Sequence, residues 1–416
     1  MKRKSPLNLS IVLFLAIFLV SALPFISVCK ANATEPILVG VPVPLTGPFA
    51  PIGVDSLKAV EFAIEKINAA GGLLGRPIKL ILFDTKDFAP ERLMAAADKL
   101  VGQDKVDSVH AGWSGWGQDV QAFGKYDVPY FEHNESQQCV KIISSDLKKY
   151  SNVWQMGDVE QKCAADSFNV VTSIPYKYPK KTIAIINTDD AWGSEVGKGV
   201  IGAAEKKGWK VVMHETIPYG TREYGPLLIK IRSLNPGLIH YENASPPDAI
   251  TFVRQFMKQP SDSIVNLGYS ILPPGFMEEM GNEADGLLGF EMSAVYSPVG
   301  PTADSIEWVK AFKEKKQRNP SHSSSASYVG VMIWAEAVRA VGDVKNYQAI
   351  NKYIGSNSFD SLIGKKIKFS KNHVITIEEW PQSHLQVQNG VRTTIYTKPG
   401  VTYLDYKFQT PPWLKK

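Results

Sequence analysis

From residue 37 onward, short apolar runs alternate with segments whose apolar residues recur every three or four positions. The runs at 37–44, 78–83, 106–110, 128–131, 182–186, 211–215, 238–241 and 264–267 have the length and character of buried strands. The periodic segments at 91–101, 162–173, 196–207, 223–234 and 249–258 predict helices. The first strand runs into a Thr46-Gly47-Pro48 turn, and a helix opens just after Gly53. Val54, Leu57, Val60, Ile64 and Ile67 then mark one buried face, and Asn68 with Gly71-Gly72 stops the helix. Strands and helices alternating through short connections predict parallel sheets covered by helices on both faces. Two such series are present, one before about residue 155 and one after. Open sheets of this kind bind ligands beyond the carboxyl ends of their strands.

The amino terminus follows a different pattern. Lys2, Arg3 and Lys4 precede a wholly apolar run at 11–20, and Ala31-Asn32-Ala33 has the form of a signal-peptidase site. Residues 1–33 therefore read as a signal peptide, with Thr34 as the mature terminus. An uncleaved anchor is the other reading, but Ser21 and Pro24 break the run. Acylation of Cys29 is a third, weakened by Val28 where a small residue is expected. Removing Lys2, Arg3, Lys4 and Lys30 takes the formal charge from +5 to +1. A near-neutral chain gives no electrostatic reason to bind nucleic acid or anionic lipid. Cys139 and Cys163 remain, an even number in an oxidising compartment, and either a disulfide or two buried thiols is compatible with their spacing. The mature length suits two lobes rather than one.

Val-Pro-Leu-Thr-Gly-Pro-Phe-Ala-Pro-Ile-Gly at 43–53, followed by Ile-Asn-Ala-Ala-Gly-Gly-Leu-Leu-Gly at 67–75, resembles a long ordered signature. It is that of type I periplasmic binding proteins, in the leucine/isoleucine/valine-binding family of ABC-transporter solute receptors. The likeness continues through the stretches beginning at Val106, Val128, Lys181 and Gly237, and weakens beyond Asp343. It implies an α/β fold of two Rossmann-like lobes with parallel sheets, joined by three hinge crossings. The crossings would fall at 156–160, just before Gly289-Phe290, and within 361–373. The first lobe would comprise 34–156 and 289–360, with the helices at 304–316 and 326–341 returning to it. The second would comprise 157–288 and 361–400. Residues 401–416 would form a tail, whose Pro411-Pro412 and terminal lysines suggest a loosely held end.

The resemblance also locates a site. The turn after the third strand, from His110 through Trp113, Ser114, Gly115 and Trp116, would offer a hydroxyl and backbone N–H groups to a ligand carboxylate. Ser114 is either that donor or a plain helix cap, and the two tryptophans suggest a stacking surface. After the fourth strand, Asn134 and Ser136 align with family ligand contacts. His133 either donates to the ligand or bonds within its turn. Neither His110 nor His133 has a partner at metal-ligand spacing, so no metal is expected. In the second lobe Trp192 aligns with the aromatic residue that covers the ligand. Tyr241, Asn243, Tyr269 and Ser270 end the following strands. Ser270 stands where an amino-acid binder carries its principal glutamate, and only Asp158 or Glu160 near the first crossing offers a replacement acid. An unpaired buried ammonium costs on the order of 3–5 kcal/mol. This departure favours an aromatic or planar, carboxylate-bearing ligand over an aliphatic amino acid.

No nucleophile elbow, P-loop or zinc spacing supports an enzyme. A sensor ectodomain on the same fold is a further rival. The reading reached here is an exported, monomeric receptor without cofactor, which captures a small solute and passes it to the permease and ATPase subunits of an ABC importer. A binder of branched-chain or other amino acids or amides is the alternative. Mass spectrometry of the exported protein is expected to find Thr34 at the amino terminus. An acylated Cys29 there would mark a lipoprotein instead.

Overall fold

The computed structural model describes residues 35–113, 115, 117–133, 136–273, 275–291, 303–376, 383–397 and 408–415. The signal segment, Cys29 and the cleavage site lie outside these residues. Strands β1 (Ile37–Val43), β2 (Ile78–Asp84), β3 (Ser108–His110), β4 (Tyr130–Glu132) and β5 (Val153–Gln155) form a first sheet. Its order is β2-β1-β3-β4-β5, and every pairing is parallel. Helices α1 (Ala50–Ala69), α2 (Pro90–Ala97), α3 (Gln118–Phe123) and α4 (Gln137–Ser145) connect these strands. Helix α1 starts ahead of the expected Gly53 because Pro51 is tolerated in a first turn, where its missing N–H has no partner to lose. Gly53 is required there: a Cβ would lie 2.0 Å from the Pro44 carbonyl oxygen.

The second sheet is built from β6 (Thr182–Thr188), β7 (Lys210–Ile217), β8 (Leu238–Glu242), β9 (Ile264–Asn266), β10 (Leu288–Glu291), β14 (Ser383–Gln388) and β15 (Val391–Thr397). Its order is β15-β14-β10-β9-β8-β6-β7, parallel from β10 to β7 and antiparallel at the β14–β15 hairpin. Helices α5 (Glu160–Val171), α6 (Ala191–Lys206), α7 (Gly225–Leu234), α8 (Pro246–Lys258) and α9 (Phe276–Met280) accompany it.

The chain then returns to the first sheet. Helices α10 (Ala303–Lys316) and α11 (His322–Val341) share one apolar core with β1 and α1, and α12 (Tyr347–Ser356) adds Ile350 and Ile354 to it. A buried polar joint fastens α11 to α1. Asp55 accepts hydrogen bonds from the Ser321 N–H at 3.1 Å and from the Ser324 hydroxyl, and it pairs with Arg318 at 3.1 Å.

Three expectations change here. The second crossing does not precede Gly289-Phe290, because both residues lie in β10 and pair with β14 in the second sheet. The third crossing does not fall within 361–373. Strands β11 (Phe359–Ser361), β12 (Gly364–Phe369) and β13 (Ile375–Thr376) pack Ile363, Ile367, Phe369 and Ile375 into the first core. Trp154 stacks on His373 at 4.3 Å and meets Phe369 at 4.9 Å. The Gln155 N–H donates to the His373 carbonyl at 2.9 Å. The return to the second sheet therefore comes after 376. Nor is the carboxyl end loose. Trp413 packs edge-on against Phe256 at 5.7 Å and donates its indole N–H to the Ser263 carbonyl at 2.9 Å. Gln409 exchanges backbone hydrogen bonds with the Gln386 side chain at 2.7 and 2.8 Å.

The cysteines also resolve. Cys139 on α4 and Cys163 on α5 are buried thiols and form no bridge. Each is a small apolar residue filling the core of its own helix layer, so no cross-link is needed to hold them. Burial pushes the Cys139 thiol well above its ordinary range, as does the nearby Glu132 charge. Thiol titration of the mature protein should therefore find none reactive when folded and two after denaturation without reductant.

Candidate functional site

Parallel crossovers put the strand-end loops of each sheet along one edge. In the first sheet three of these loops each contribute an aromatic ring. Phe49 follows β1, Phe88 follows β2 and Trp113 follows β3. Phe49 lies 5.0 Å from Trp113 and 5.6 Å from Phe88, and Trp113 lies 5.6 Å from Phe88. Trp113 is 7% exposed, so it is a wall of this cluster rather than a free platform. Backbone contact fixes its position. A Cβ on Gly112 would lie 2.4 Å from Val43.

Carboxylates hold these loops. Asp84 accepts from the Leu45 N–H at 2.9 Å, the Thr46 hydroxyl at 2.7 Å and the Lys86 N–H at 3.0 Å. Desolvation raises its carboxyl, but the Thr46 and backbone bonds outweigh that and hold it below the usual aspartate value. Asp119, fully buried, accepts from the Gly117 N–H at 3.0 Å and the Tyr130 hydroxyl at 2.6 Å. Burial raises this carboxyl, against the pull of the Tyr130 bond. Gly115 lies in the same loop, against Leu93. Ser114, Trp116 and Asn134 lie outside the described residues.

The histidines face inward. His110 stacks on Phe131 at 4.8 Å, and its Nε2 lies 2.9 Å from Ser108 Oγ. Burial, and then the neighbouring His133, drives its pKa well below 6.5. His133 Nδ1 meets Ser327 Oγ on α11 at 2.8 Å, which ties it to its own lobe. Ser136 caps α4, accepting from the Cys139 N–H at 3.2 Å.

In the second lobe, Trp192 and Tyr269 come together edge-to-face at 6.1 Å, each 8% exposed. Asp190 caps the helix that carries Trp192, accepting from the Gly193 N–H at 2.6 Å. The Tyr269 N–H donates to Glu242 Oε1 at 3.1 Å, while His240 Nε2 lies 2.7 Å from Glu242 Oε2. The Ser270 hydroxyl accepts the Asn243 N–H at 2.7 Å, and Asn243 Oδ1 accepts the Ser245 N–H at 2.8 Å. Both polar groups thus tie strand ends together. Tyr241 is a core residue instead. Successive strand residues point to opposite faces. Its ring stacks on Phe252 at 4.1 Å, and its hydroxyl meets Tyr224 at 3.0 Å. Asp158 and Glu160 are engaged by protein donors. Asp158 pairs with Lys162 at 2.5 Å, and Glu160 accepts the Gln137 N–H at 2.6 Å.

The two sheet edges meet. Phe49 packs edge-to-face on Tyr219, beyond β7, with centroids 5.7 Å apart. Lys141 on α4 pairs with Glu195 on α6 at 3.3 Å. The sequence reading missed Phe49, Phe88 and Tyr219. Each follows a predicted strand by four or five residues, and that position was the available signal.

Against this geometry, residues 36–380 match the family described as periplasmic binding protein. The chain belongs to that family. Its members are non-enzymatic solute-binding proteins, which removes the enzyme reading. Among curated relatives, a Leu/Ile/Val-binding protein homolog from Brucella abortus is 25% identical over 393 residues, covering 88% of this chain and 92% of the relative. Two solved structures share the fold. One is the branched-chain amino acid transporter substrate binding protein of Streptococcus pneumoniae in complex with isoleucine. Its TM-score is 0.74 at 17% identity, covering 89% of this chain and 100% of that one. The other is an ABC-transporter solute binding protein from R. palustris in complex with benzoate. Its TM-score is 0.73 at 18% identity, covering 90% and 99%. The receptor's two-lobed α/β architecture is thus that of its family.

Asp84 gives a pH test of this loop architecture. Its folded carboxyl is lowered, so its contribution is present above the ordinary value of 3.8 and is lost as pH falls through the lowered value. Asp84→Asn should lower the Tm at neutral pH. That penalty should shrink as the pH drops below 3.8 and through the lowered value. Calorimetric scans across pH check this.

Proposed function

We propose that the mature chain is the exported receptor of a branched-chain-amino-acid-type ABC importer, and that its lobes close around a small ligand with an aromatic or planar body and a carboxylate. The observation that carries this reading is the set of rings at the facing sheet edges. Phe49, Phe88 and Trp113 stand on one side, with Tyr219 opposite and the Trp192–Tyr269 pair in the second lobe. Aromatic pairs add about 0.5–1.5 kcal/mol each beyond burial. The benzoate complex of the R. palustris protein lends support, because the same fold there holds an aromatic acid. The isoleucine complex favours a second reading, in which the cleft takes a branched-chain or other amino acid.

In this proposal the first lobe is 34–156 with the later helices, and the second is 157–291 with the β14–β15 hairpin. Ser114, Trp116, Asn134 and Ser136 supply donors on the first-lobe side. The permease and ATPase subunits of the importer are the partners, and the signal is cleaved after Ala33. Closure follows because the ligand touches both lobes, and it shifts the equilibrium only by its differential affinity for the closed form. The Lys141–Glu195 pair is largely exposed on the lysine side and contributes at most about 1 kcal/mol to that balance.

A thermal-shift screen of aromatic acids, amino acids and amides identifies the ligand class. Trp192→Ala should then weaken binding at least tenfold, about 1.4 kcal/mol, with an apo Tm that falls from loss of a buried ring while the protein stays folded. Calorimetry that finds unaltered affinity in this variant would remove Trp192 from the site.

A further inference from the structure

The near-neutral total charge of the mature chain conceals a segregation. Residues 303–376 hold twelve Lys and Arg against six Asp and Glu, a formal +6, so the rest of the mature chain carries −5. The excess gathers in one place. Lys365, Lys366, Lys368 and Lys371 fall within seven residues of β12 and the turn that follows it, and all four are exposed. Among the described residues, no ion pair or side-chain hydrogen bond engages any of these ammonium groups. Asp360 is the one acid on β11–β13, and its Oδ1 accepts the Lys366 backbone N–H at 2.9 Å. Glu378 and Glu379 follow in the chain, outside the described residues.

Packing leaves these cations on the outside of a fixed support. Ile367 and Phe369 are buried in the first core, while Lys366 and Lys368 alternate with them and stay exposed. Thr376, uncharged, stands opposite Lys368 on β13. Lys365 and Lys371 lengthen the row at its two ends, to a span of up to about 20 Å at the usual rise of a strand. The row also has a defined place in the fold. Gln155 ends β5 and pairs in parallel with Val374, so β13 starts where β5 stops. The hairpin therefore stands beyond the edge of the first sheet that carries the strand-end loops.

We infer that the row of Lys365, Lys366, Lys368 and Lys371 is a docking surface for the anionic headgroups of a phospholipid membrane. Ammonium groups are compact point charges that attract phosphates without requiring a fixed geometry, and a row of them suits a flat field of headgroups. A nucleic-acid groove adds aromatic rings or Arg forks between its cations, and this row has neither. The rigid support of the hairpin keeps the ordering cost of docking low. The solute-binding relatives serve ABC transporters, which act at a membrane, and a row projecting from the loop edge holds that edge toward the lipid. The inference adds to the solute-receptor reading and needs no bound solute, so either can fail without the other.

Co-sedimentation of the mature protein with vesicles tests this. Vesicles of phosphatidylcholine alone are compared with vesicles holding about 30% phosphatidylglycerol, at low salt and in roughly 0.5 M NaCl. Wild type should partition about tenfold or more in favour of the anionic vesicles at low salt, and lose that preference at high salt. A variant combining Lys365→Gln, Lys366→Gln, Lys368→Gln and Lys371→Gln should lose it at low salt as well. A control combining Lys177→Gln, Lys181→Gln, Lys206→Gln and Lys210→Gln, all exposed in the second lobe, removes the same charge and should keep it. An unchanged Tm verifies that both variants are folded. Equal partition of wild type into the two kinds of vesicle overturns the inference, whatever solute the receptor binds. So does a preference that survives in the first variant. Equal loss in the two variants also overturns it, by tracing the effect to net charge rather than to the row.

Discussion

The structure depends on how the strand-end loops satisfy their backbone N–H groups. Parallel crossovers gather those loops along one edge of each sheet, where the ladder no longer supplies acceptors. Carboxylates of the chain itself fill the gap. Asp84 holds the turn after β1, and Asp119 holds the loop after β3. Asp190 caps the helix after β6. Glu242 takes the Tyr269 N–H after β9, and Asp248 takes the Gly220 N–H after β7 at 2.7 Å. Asp84, Glu242 and Asp248 lie on different loops from most of what they hold, so those loops are pinned to their neighbours. Rings carried by these loops are therefore presented by a rigid rim, as a recognition surface requires.

This rim also explains which residues face the other lobe. Polar side chains at strand ends are largely consumed by the rim itself, as Ser136, Asn243 and Ser270 show. Large rings are not needed for backbone satisfaction, so they project past it. Roles at the rim are thus divided: carboxylates and hydroxyls shape the loops, and aromatic rings line the facing edges.

Much of this was legible in the sequence. Periodicity located eight strands of the two sheets and six of the twelve described α-helices, because strands buried on both faces are almost uninterrupted apolar runs. Trp192 and Tyr269 could be paired in prospect because both follow strands. Tyr241 could not be placed, since a strand-end residue can turn to either face and only the position of Phe252 decides. The segment 361–376 was assigned to the wrong lobe because its short amphipathic strands carry no sign of which core they cover. Trp154, more than two hundred residues earlier, provides that core.

The order in which the chain fills its two cores has a consequence for biogenesis. The first sheet lacks its covering helix α11 until residues beyond 320 are made, and Trp154 lacks its cover until 373. The second sheet lacks the β14–β15 hairpin until 397 and the Trp413 contact until nearly the last residue. Neither core can close on a nascent chain, because each waits for sequence synthesised after the other has begun. Such interleaving leaves both cores incomplete until late in synthesis.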